Sequence, residues 1–137
     1  MAGIKQLRIA TISQFIDAAI FLIKIVFWIV CFVFGFLCLI PTAYLSSGLF
    51  DWWDKAQHVF AFFCLSSLGI LAYQKAIGKV VVGLIVYGGL IEILQWLTEW
   101  RFGELADWLA DVIGILFGSI FVNMLIQNRS RLLRSKR

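Results

Sequence analysis

The chain is poor in the residues that build the common catalytic and metal-binding motifs. It has one His, one Pro and three Cys in 137 residues. A single His cannot form the HExxH motif of zinc proteases, and no CxxC pair suggests a metal knuckle. The sequence also lacks a GxSxG motif, a P-loop and a Rossmann fingerprint. These absences remove the motif-based arguments for a serine hydrolase, a nucleotide-binding protein or a zinc protease.

Charged residues are also scarce, and they make up only 15% of the chain. Apolar residues make up 62%, and the mean hydropathy is +0.94. This composition is too apolar for an ordinary soluble domain and is typical of a small integral membrane protein. The length predicts one compact domain over residues 1–137. The three cysteines lie inside apolar runs, so we interpret them as core residues and not as disulfide partners.

Four apolar runs predict an all-α, polytopic membrane protein. Each run is close to the ~20 residues that cross a ~30 Å hydrocarbon layer, and backbone groups in lipid must be satisfied within a helix. We expect Pro41 to end the first helix and Gly78 to break the chain before the third. Residues 1–15 are either an amphipathic segment in the headgroup layer or a frayed start. The predicted transmembrane helices cover about 18–40, 56–73, 80–97 and 105–126.

Most cations lie toward one end of this predicted bundle. Lys and Arg residues precede the first helix, flank the second loop and fill the tail 127–137, whereas the other two loops hold only Lys55 and Arg101. The positive-inside rule then places both termini in the cytoplasm and the protein in the inner (cytoplasmic) membrane. Beside a membrane helix, a basic tail favours anionic headgroups. We therefore expect membrane lipids as partners, and no nucleic acid.

Acidic residues gather at the opposite end. The stretch from Glu92 to Gly118 holds most of the chain's carboxylates, and each is costly to bury in lipid. Asp54 and His58, four residues apart, open the second helix at the same level. One pocket that opens outward is expected to collect all of these groups. Two sets with helical spacing recur on neighbouring helices: Glu92, Gln95 and Glu99, then Glu104, Asp107 and Asp111.

A row of small residues follows the fourth helix. Alanine or glycine recurs every four residues there, and such a row lets membrane helices approach closely. Asp107 and Asp111 each follow a member of this row, so they are expected to border the packed seam and not to face lipid. The row consists of Ala106, Ala110, Gly114 and Gly118.

Three short motifs together carry a family resemblance. DKAQH spans 54–58, GGLIEILQ spans 88–95, and R-x5-D-x3-D-x2-G-x3-G spans 101–118. In this order they resemble the VanZ-like membrane proteins, a family named for a protein associated with low-level teicoplanin resistance. That family often has Asn where this chain has Asp111, and its biochemical activity is undefined. The resemblance implies that the family's polar positions fall on Asp54, Lys55, His58, Glu92, Gln95, Arg101 and Asp107.

The predicted function is an outward-facing polar pocket that binds or acts on a cell-envelope lipid or cell-wall precursor. By the resemblance, the protein is linked to glycopeptide susceptibility; whether it is an enzyme stays open. His58, Glu92 and Asp107 are the candidate catalytic residues, since a histidine side chain exchanges protons near neutral pH. Lys55 and Arg101 are predicted to hold phosphate. The other predicted binding residues are Asp54, Gln95 and Asp111.

Other interpretations of the same residues stay open at this stage. Glu92, Asp107 and Asp111, with or without His58, have the donor atoms of a divalent-cation site. Intramembrane acids also mark ion paths, which favours a small transporter or carrier. Alternatively the protein is a non-catalytic scaffold whose charge cluster is structural, with Arg101 as the main counter-ion. The oligomeric state is not predicted.

Overall fold

The protein is a bundle of four long helices. The computed structural model describes residues 2–41, 54–98, 100–101 and 103–135. All four helices are long and apolar enough to cross a membrane, which confirms the predicted all-α architecture. In chain order the elements are α1 (Ala2–Leu39), α2 (Asp54–Ala72), a short 3-10 turn (Gln74–Ala76), α3 (Ile77–Trp96) and α4 (Leu105–Ser135).

The first and last helices are longer than predicted. α1 already begins at Ala2, and α4 continues to Ser135. At ~1.5 Å per residue these helices measure about 57 Å and about 46 Å, well beyond a ~30 Å hydrocarbon layer. The extension of α1 is amphipathic and that of α4 is polar, and both lie outside the predicted apolar runs, but Lys, Arg, Gln and Leu are good helix formers. The predicted amphipathic lead is therefore the first part of α1 and not a separate element.

The end of α1 follows a local backbone rule, whereas the break between α2 and α3 differs from the prediction. α1 ends at Leu39, because the residue before Pro41 is disfavoured in the α conformation. The chain between α2 and α3 breaks at Tyr73, whose φ of −127° and ψ of 49° are not helical. Gly78 lies inside the first turn of α3, so the predicted break at this glycine is wrong.

The central helix is α2, which packs against all three others and most extensively against α4. At Gly114 of α4, an added Cβ would meet backbone atoms of Val59 and Phe63. At Gly118 it would meet the hydroxyl of Ser66. These contacts confirm a close helix–helix seam at Gly114 and Gly118 and identify α2 as the partner, whereas Ala106 of the predicted row is exposed.

The bundle has an apolar core, and much of its outside is apolar too. Large apolar side chains are exposed along all four helices, with Phe32 at 75% and Leu105 at 72% exposure. Such a surface suits lipid better than water. The cysteines are free, with Cys31 and Cys38 buried, as predicted for core residues. The buried core cluster consists of Phe27, Cys31, Phe62, Leu65, Leu84 and Ile115.

Candidate functional site

Polar side chains meet at the end of the bundle where α2 and α4 begin and α1 and α3 end. Glycine residues on α3 and in the α3–α4 loop allow the close approach that this convergence needs, and α1 contributes backbone carbonyls. We call this group the polar cluster; it consists of Lys55, His58, Glu92, Gln95, Glu104, Asp107 and Asp111.

The deepest contact of the polar cluster joins α2 to α4. His58 Nδ1 lies 2.8 Å from Asp111 Oδ1, and the two side chains are only 3% and 0% exposed. The Phe34 ring of α1 packs edge-on against the imidazole, with ring centroids 5.4 Å apart. Gly88 of α3 makes room for the carboxylate, since a Cβ there would lie 2.5 Å from Asp111 Oδ2. All four helices therefore enclose this pair.

The Glu92 carboxylate binds the start of α4. Its Oε2 accepts a hydrogen bond of 2.8 Å from the backbone N–H of Glu104, directly before the first residue of α4. A carboxylate at this position satisfies one of the free N–H groups of the helix and interacts favourably with its dipole. Gly103 allows the contact, because a Cβ there would collide with the backbone oxygen of Glu92. The loop therefore folds tightly onto α3.

The cation of the polar cluster is Lys55. Its Nζ lies 2.8 Å from Glu104 Oε2 and 3.1 Å from Asp107 Oδ1. Lys55 and Glu104 have half-exposed side chains, whereas that of Asp107 is 6% exposed. α2 and α4 run in the same direction, so Lys55 meets Asp107 one turn above the His58–Asp111 pair.

The structural-scaffold interpretation predicts that Arg101 is the main counter-ion of the acids. Among the residues that the structure describes, Arg101 does not have this role. It is half-buried in the α3–α4 loop and forms no ion pair with the carboxylates described there. Its Nε is buried and has no hydrogen-bond partner among those residues. Within the described residues, the loop thus contains a guanidinium N–H that is free to donate.

Gln95 ties α3 to the end of α1. Its Nε2 donates to the backbone carbonyl of Cys38 at 3.0 Å, and Trp100 Nε1 donates to that of Leu39 at 3.2 Å. Both carbonyls belong to the last turn of α1, where helical acceptors are otherwise unsatisfied. The amide oxygen of Gln95, however, is buried without a partner among the described residues.

Most predicted site residues meet, but not in one open pocket. A cleft of about 300 Å³ lies between α3 and the start of α4 and reaches Glu92 and Glu104, with Trp96 and Trp108 on its walls. His58 and Asp111 lie behind it, shielded from solvent. The expectation that one outward pocket collects all the acids is therefore met only for Glu92 and its neighbours. The side chain of Asp54, and all of Glu99, lie outside the described residues.

Glu104 belongs to the site but is not among the site residues that the sequence predicts. Its backbone N–H and its carboxylate both take part in the polar cluster. The available signal was its position just before the apolar run of α4, where a helix needs partners for its first N–H groups. The parts played by Gly103 and by the Cys38 carbonyl depend on tertiary packing and have no local sequence signal.

Three buried side chains have the donor atoms and spacing of a metal site. His58, Glu92 and Asp111 each offer one ligand atom, and these atoms lie within 4.8 Å of one another. Asp107, a predicted ligand, is not in this group, because it turns toward Lys55. One imidazole and two carboxylates suit Zn²⁺, and the oxygens alone suit Mg²⁺ or Ca²⁺.

No protein-family model, curated protein or solved structure matches this chain. The resemblance to VanZ-like proteins thus stays a prediction based on the three motifs.

Proposed function

We propose that the chain is a multi-pass protein of the cytoplasmic membrane with both termini in the cytoplasm. The proposal is supported by four helices of membrane-spanning length and by large apolar side chains exposed along all of them. The cations of the sequence lie mostly beyond the other end of the bundle from the polar cluster. With the positive-inside rule, the polar cluster then lies toward the outer leaflet.

We propose that the polar cluster and its cleft bind the headgroup of a phosphorylated envelope lipid or cell-wall precursor. The observation that carries this proposal is a set of buried hydrogen-bond donors and acceptors that lack partners among the described residues. Glu92 Oε1, Gln95 Oε1 and Arg101 Nε are all buried and lack hydrogen-bond partners within the described ranges. Buried polar groups are rarely left unpaired, because each costs about 1–3 kcal/mol. A ligand that both donates and accepts would satisfy Glu92, which lines the cleft, and Arg101 in the neighbouring loop; Gln95 is as buried as His58 and does not line the cleft.

A phosphorylated saccharide lipid has the required chemistry. Its phosphate oxygens accept hydrogen bonds, which matches the Arg101 guanidinium and the half-exposed Lys55 amine. Its sugar hydroxyls donate, which matches the free oxygen of Glu92 in the cleft. Its acyl or prenyl chain would lie among the exposed apolar side chains at the same level, including Trp96.

The geometry favours binding over catalysis by His58. Its imidazole is 2% exposed and already bound to Asp111, so it lies out of reach of a headgroup in the cleft. Glu92 is the predicted catalytic residue that does border the cleft. We therefore assign Glu92 to ligand contact, and we assign His58 to holding Asp111 in place.

The binding test uses purified protein in detergent micelles. The probes are a polyprenyl diphosphate, inorganic diphosphate and phosphatidylcholine, each titrated and followed by native mass spectrometry and thermal stabilisation. We expect the polyprenyl diphosphate to bind best, and Arg101→Gln to weaken it about tenfold. Arg131→Gln, which removes the same charge on exposed α4, is the control. Equal binding of all three probes, or equal loss in both variants, would overturn the proposal.

The proposed link to glycopeptide susceptibility is tested in cells. Strains that carry alanine at His58, Glu92 or Asp107 are compared with the parent for teicoplanin susceptibility and for pools of cell-wall precursors. A change in either readout supports the link. Unchanged susceptibility and unchanged pools in all three strains, with normal protein levels in the membrane, would remove it.

A divalent-cation site is a second candidate, and the clustering of His58, Glu92 and Asp111 favours it. Such an ion would bind the free carboxylate oxygens of Glu92 and Asp111 and could bridge them to a phosphate. The test is elemental analysis of detergent-purified protein after dialysis against Mg²⁺, Ca²⁺ or Zn²⁺. Bound metal that Glu92→Gln removes and Glu104→Gln retains supports the site, and no metal above background excludes it.

The transporter alternative has less support from the geometry. The interior between the polar cluster and the opposite end is filled by the apolar core cluster. Within the described residues, no chain of buried acids connects the two ends. A scaffold whose charges are only structural would account for the His58–Asp111 pair, but it leaves the unsatisfied groups of Glu92, Gln95 and Arg101 without a role.

A further inference from the structure

A second cleft lies at the other end of the bundle, between α1 and the first half of α3. Its volume is about 340 Å³. Its walls are apolar, and the Gly83 position leaves it open on the α3 side, since a Cβ there would meet no atom within 4 Å. Lys79 lies at its rim. The main wall residues are Phe27, Trp28, Cys31, Tyr73, Val80 and Leu84.

A neighbouring cleft of about 320 Å³ adds two more lysines. It shares Tyr73 and Ala76 with the first and is lined by Lys24 and Lys75. The Lys24 amine lies 5.2 Å from the centroid of the Tyr73 ring, so the two clefts meet at this ring.

The mouth of the clefts has the features of a headgroup region. Trp28 Nε1 donates to the Tyr73 hydroxyl at 3.1 Å, and Trp and Tyr favour the membrane–water interface. In the part of the chain that the structure describes, Lys24, Lys75 and Lys79 form no ion pair with a carboxylate. No acid lines either cleft. Positive charge without a counter-ion thus borders an apolar groove.

We propose that this pair of clefts binds an anionic phospholipid. One acyl chain lies in the groove beside Gly83, and the phosphate contacts the amines of Lys79, Lys24 and Lys75. Charge complementarity favours this occupant over an apolar helix of a partner protein, which would leave three cations unmatched. The site shares no residue with the polar cluster, so it stands independently of the function proposed for that cluster.

The test is native mass spectrometry of the full chain released from nanodiscs of equal parts phosphatidylglycerol and phosphatidylcholine. We expect retained phosphatidylglycerol in clear excess over phosphatidylcholine. Gly83→Phe fills the groove and is expected to abolish that excess. Its matched control is Gly78→Phe, since Gly78 is also on α3, also open around its Cα, and lines neither cleft. This control is expected to retain the lipid.

Charge is tested by a second pair of variants. The double variant Lys24→Gln/Lys79→Gln is expected to lower phosphatidylglycerol retention about thirtyfold, from the usual contribution of a lysine near an anionic surface. Arg131→Gln/Arg134→Gln removes two charges of the basic tail, outside both clefts, and is expected to lower retention clearly less than the cleft pair, because the tail attracts anionic headgroups without an apolar groove for the acyl chain. Thermal unfolding in micelles confirms that each variant is folded.

Three outcomes would overturn the proposal. The first is equal phosphatidylglycerol retention by folded Gly83→Phe and Gly78→Phe, and the second is an equal loss in the two double-charge variants. The third is a dimer in the native spectrum that Gly83→Phe dissociates without changing lipid retention, because the groove would then be a contact between two copies of the chain.

Discussion

His58 Nδ1 and Asp111 Oδ1 lie 2.8 Å apart, where neither side chain reaches solvent. This contact joins the two helices that share the largest interface of the bundle. A buried pair of this kind adds little net stability compared with apolar residues, but removal of one partner leaves the other unpaired in a low-dielectric interior.

Asp111→Ala is expected to lower the free energy of unfolding by about 3–5 kcal/mol, because it leaves His58 buried without its partner. Asp111→Asn keeps an oxygen at hydrogen-bond distance and should cost less. The measurement is denaturant unfolding in micelles. Asp17→Ala, which truncates an exposed aspartate on α1, should stay within about 0.5 kcal/mol of the parent. Equal effects of the two alanine variants would contradict the structural assignment.

The two ion pairs of Lys55 predict that Glu104→Gln and Lys55→Gln lower the free energy of unfolding by different amounts. Glu104→Gln should cost no more than about 1 kcal/mol, since both partners are half-exposed. Lys55→Gln should cost about 1 kcal/mol more than that, because the buried carboxylate of Asp107 loses its cation as well. Unfolding at low and high salt checks this, and high salt should reduce the effect of Glu104→Gln most. If Glu104→Gln proved the more damaging, the assignment of Lys55 to Asp107 would be wrong.

The seam between α2 and α4 predicts intolerance at Gly114. A Cβ there would meet backbone atoms of α2, which cannot rotate away as a side chain can. Gly114→Ala should therefore destabilise the fold by about 1–3 kcal/mol, as overpacking does. Gly78→Ala is the matched control, since nothing lies within 4 Å of its added Cβ. It should be neutral or stabilising, because alanine favours helix over glycine.

The sequence predicts the apolar parts of the helices well and their extensions beyond the apolar runs poorly. Apolar runs located four helices, and spacing correctly brought Glu92, Gln95, Asp107 and Asp111 to one end. The predicted end of α1 and start of α4 agree with the structure, whereas the start of α1 and the end of α4 extend beyond the predicted bounds, because these turns continue the helix outside the long apolar runs.

The choice between Lys55 and Arg101 as counter-ion could not be made from the sequence. Both lie near the acids along the chain, and only the rotation of α2 against α4 brings the Lys55 amine to Asp107. Likewise, helical spacing placed Asp111 beside the seam but could not show that Gly88 opens the space its carboxylate fills. Such contacts depend on how the helices pack against one another, and no short stretch of a single sequence encodes that packing.

The proposed topology predicts opposite reporter signals at two positions. A fluorescent protein fused after Arg137 should be bright, and alkaline phosphatase fused there should be inactive, because the proposed topology places the tail in the cytoplasm. Fusions after Thr98, in the α3–α4 loop, should give the reverse result. Active phosphatase at the C-terminus would place the polar cluster on the cytoplasmic side and remove the argument for an outer-leaflet ligand.

The central claim is that the polar cluster and its cleft hold a phosphorylated headgroup, and the most direct measurement is an experimental structure of the protein in nanodiscs made from its own membrane lipids. We predict headgroup density that enters the cleft bounded by Glu92, Glu104 and Trp96, with the phosphate just outside it, at Arg101 and Lys55. A well-resolved cleft that contains only acyl chains or water, with Glu92 and Arg101 paired to each other, would contradict it.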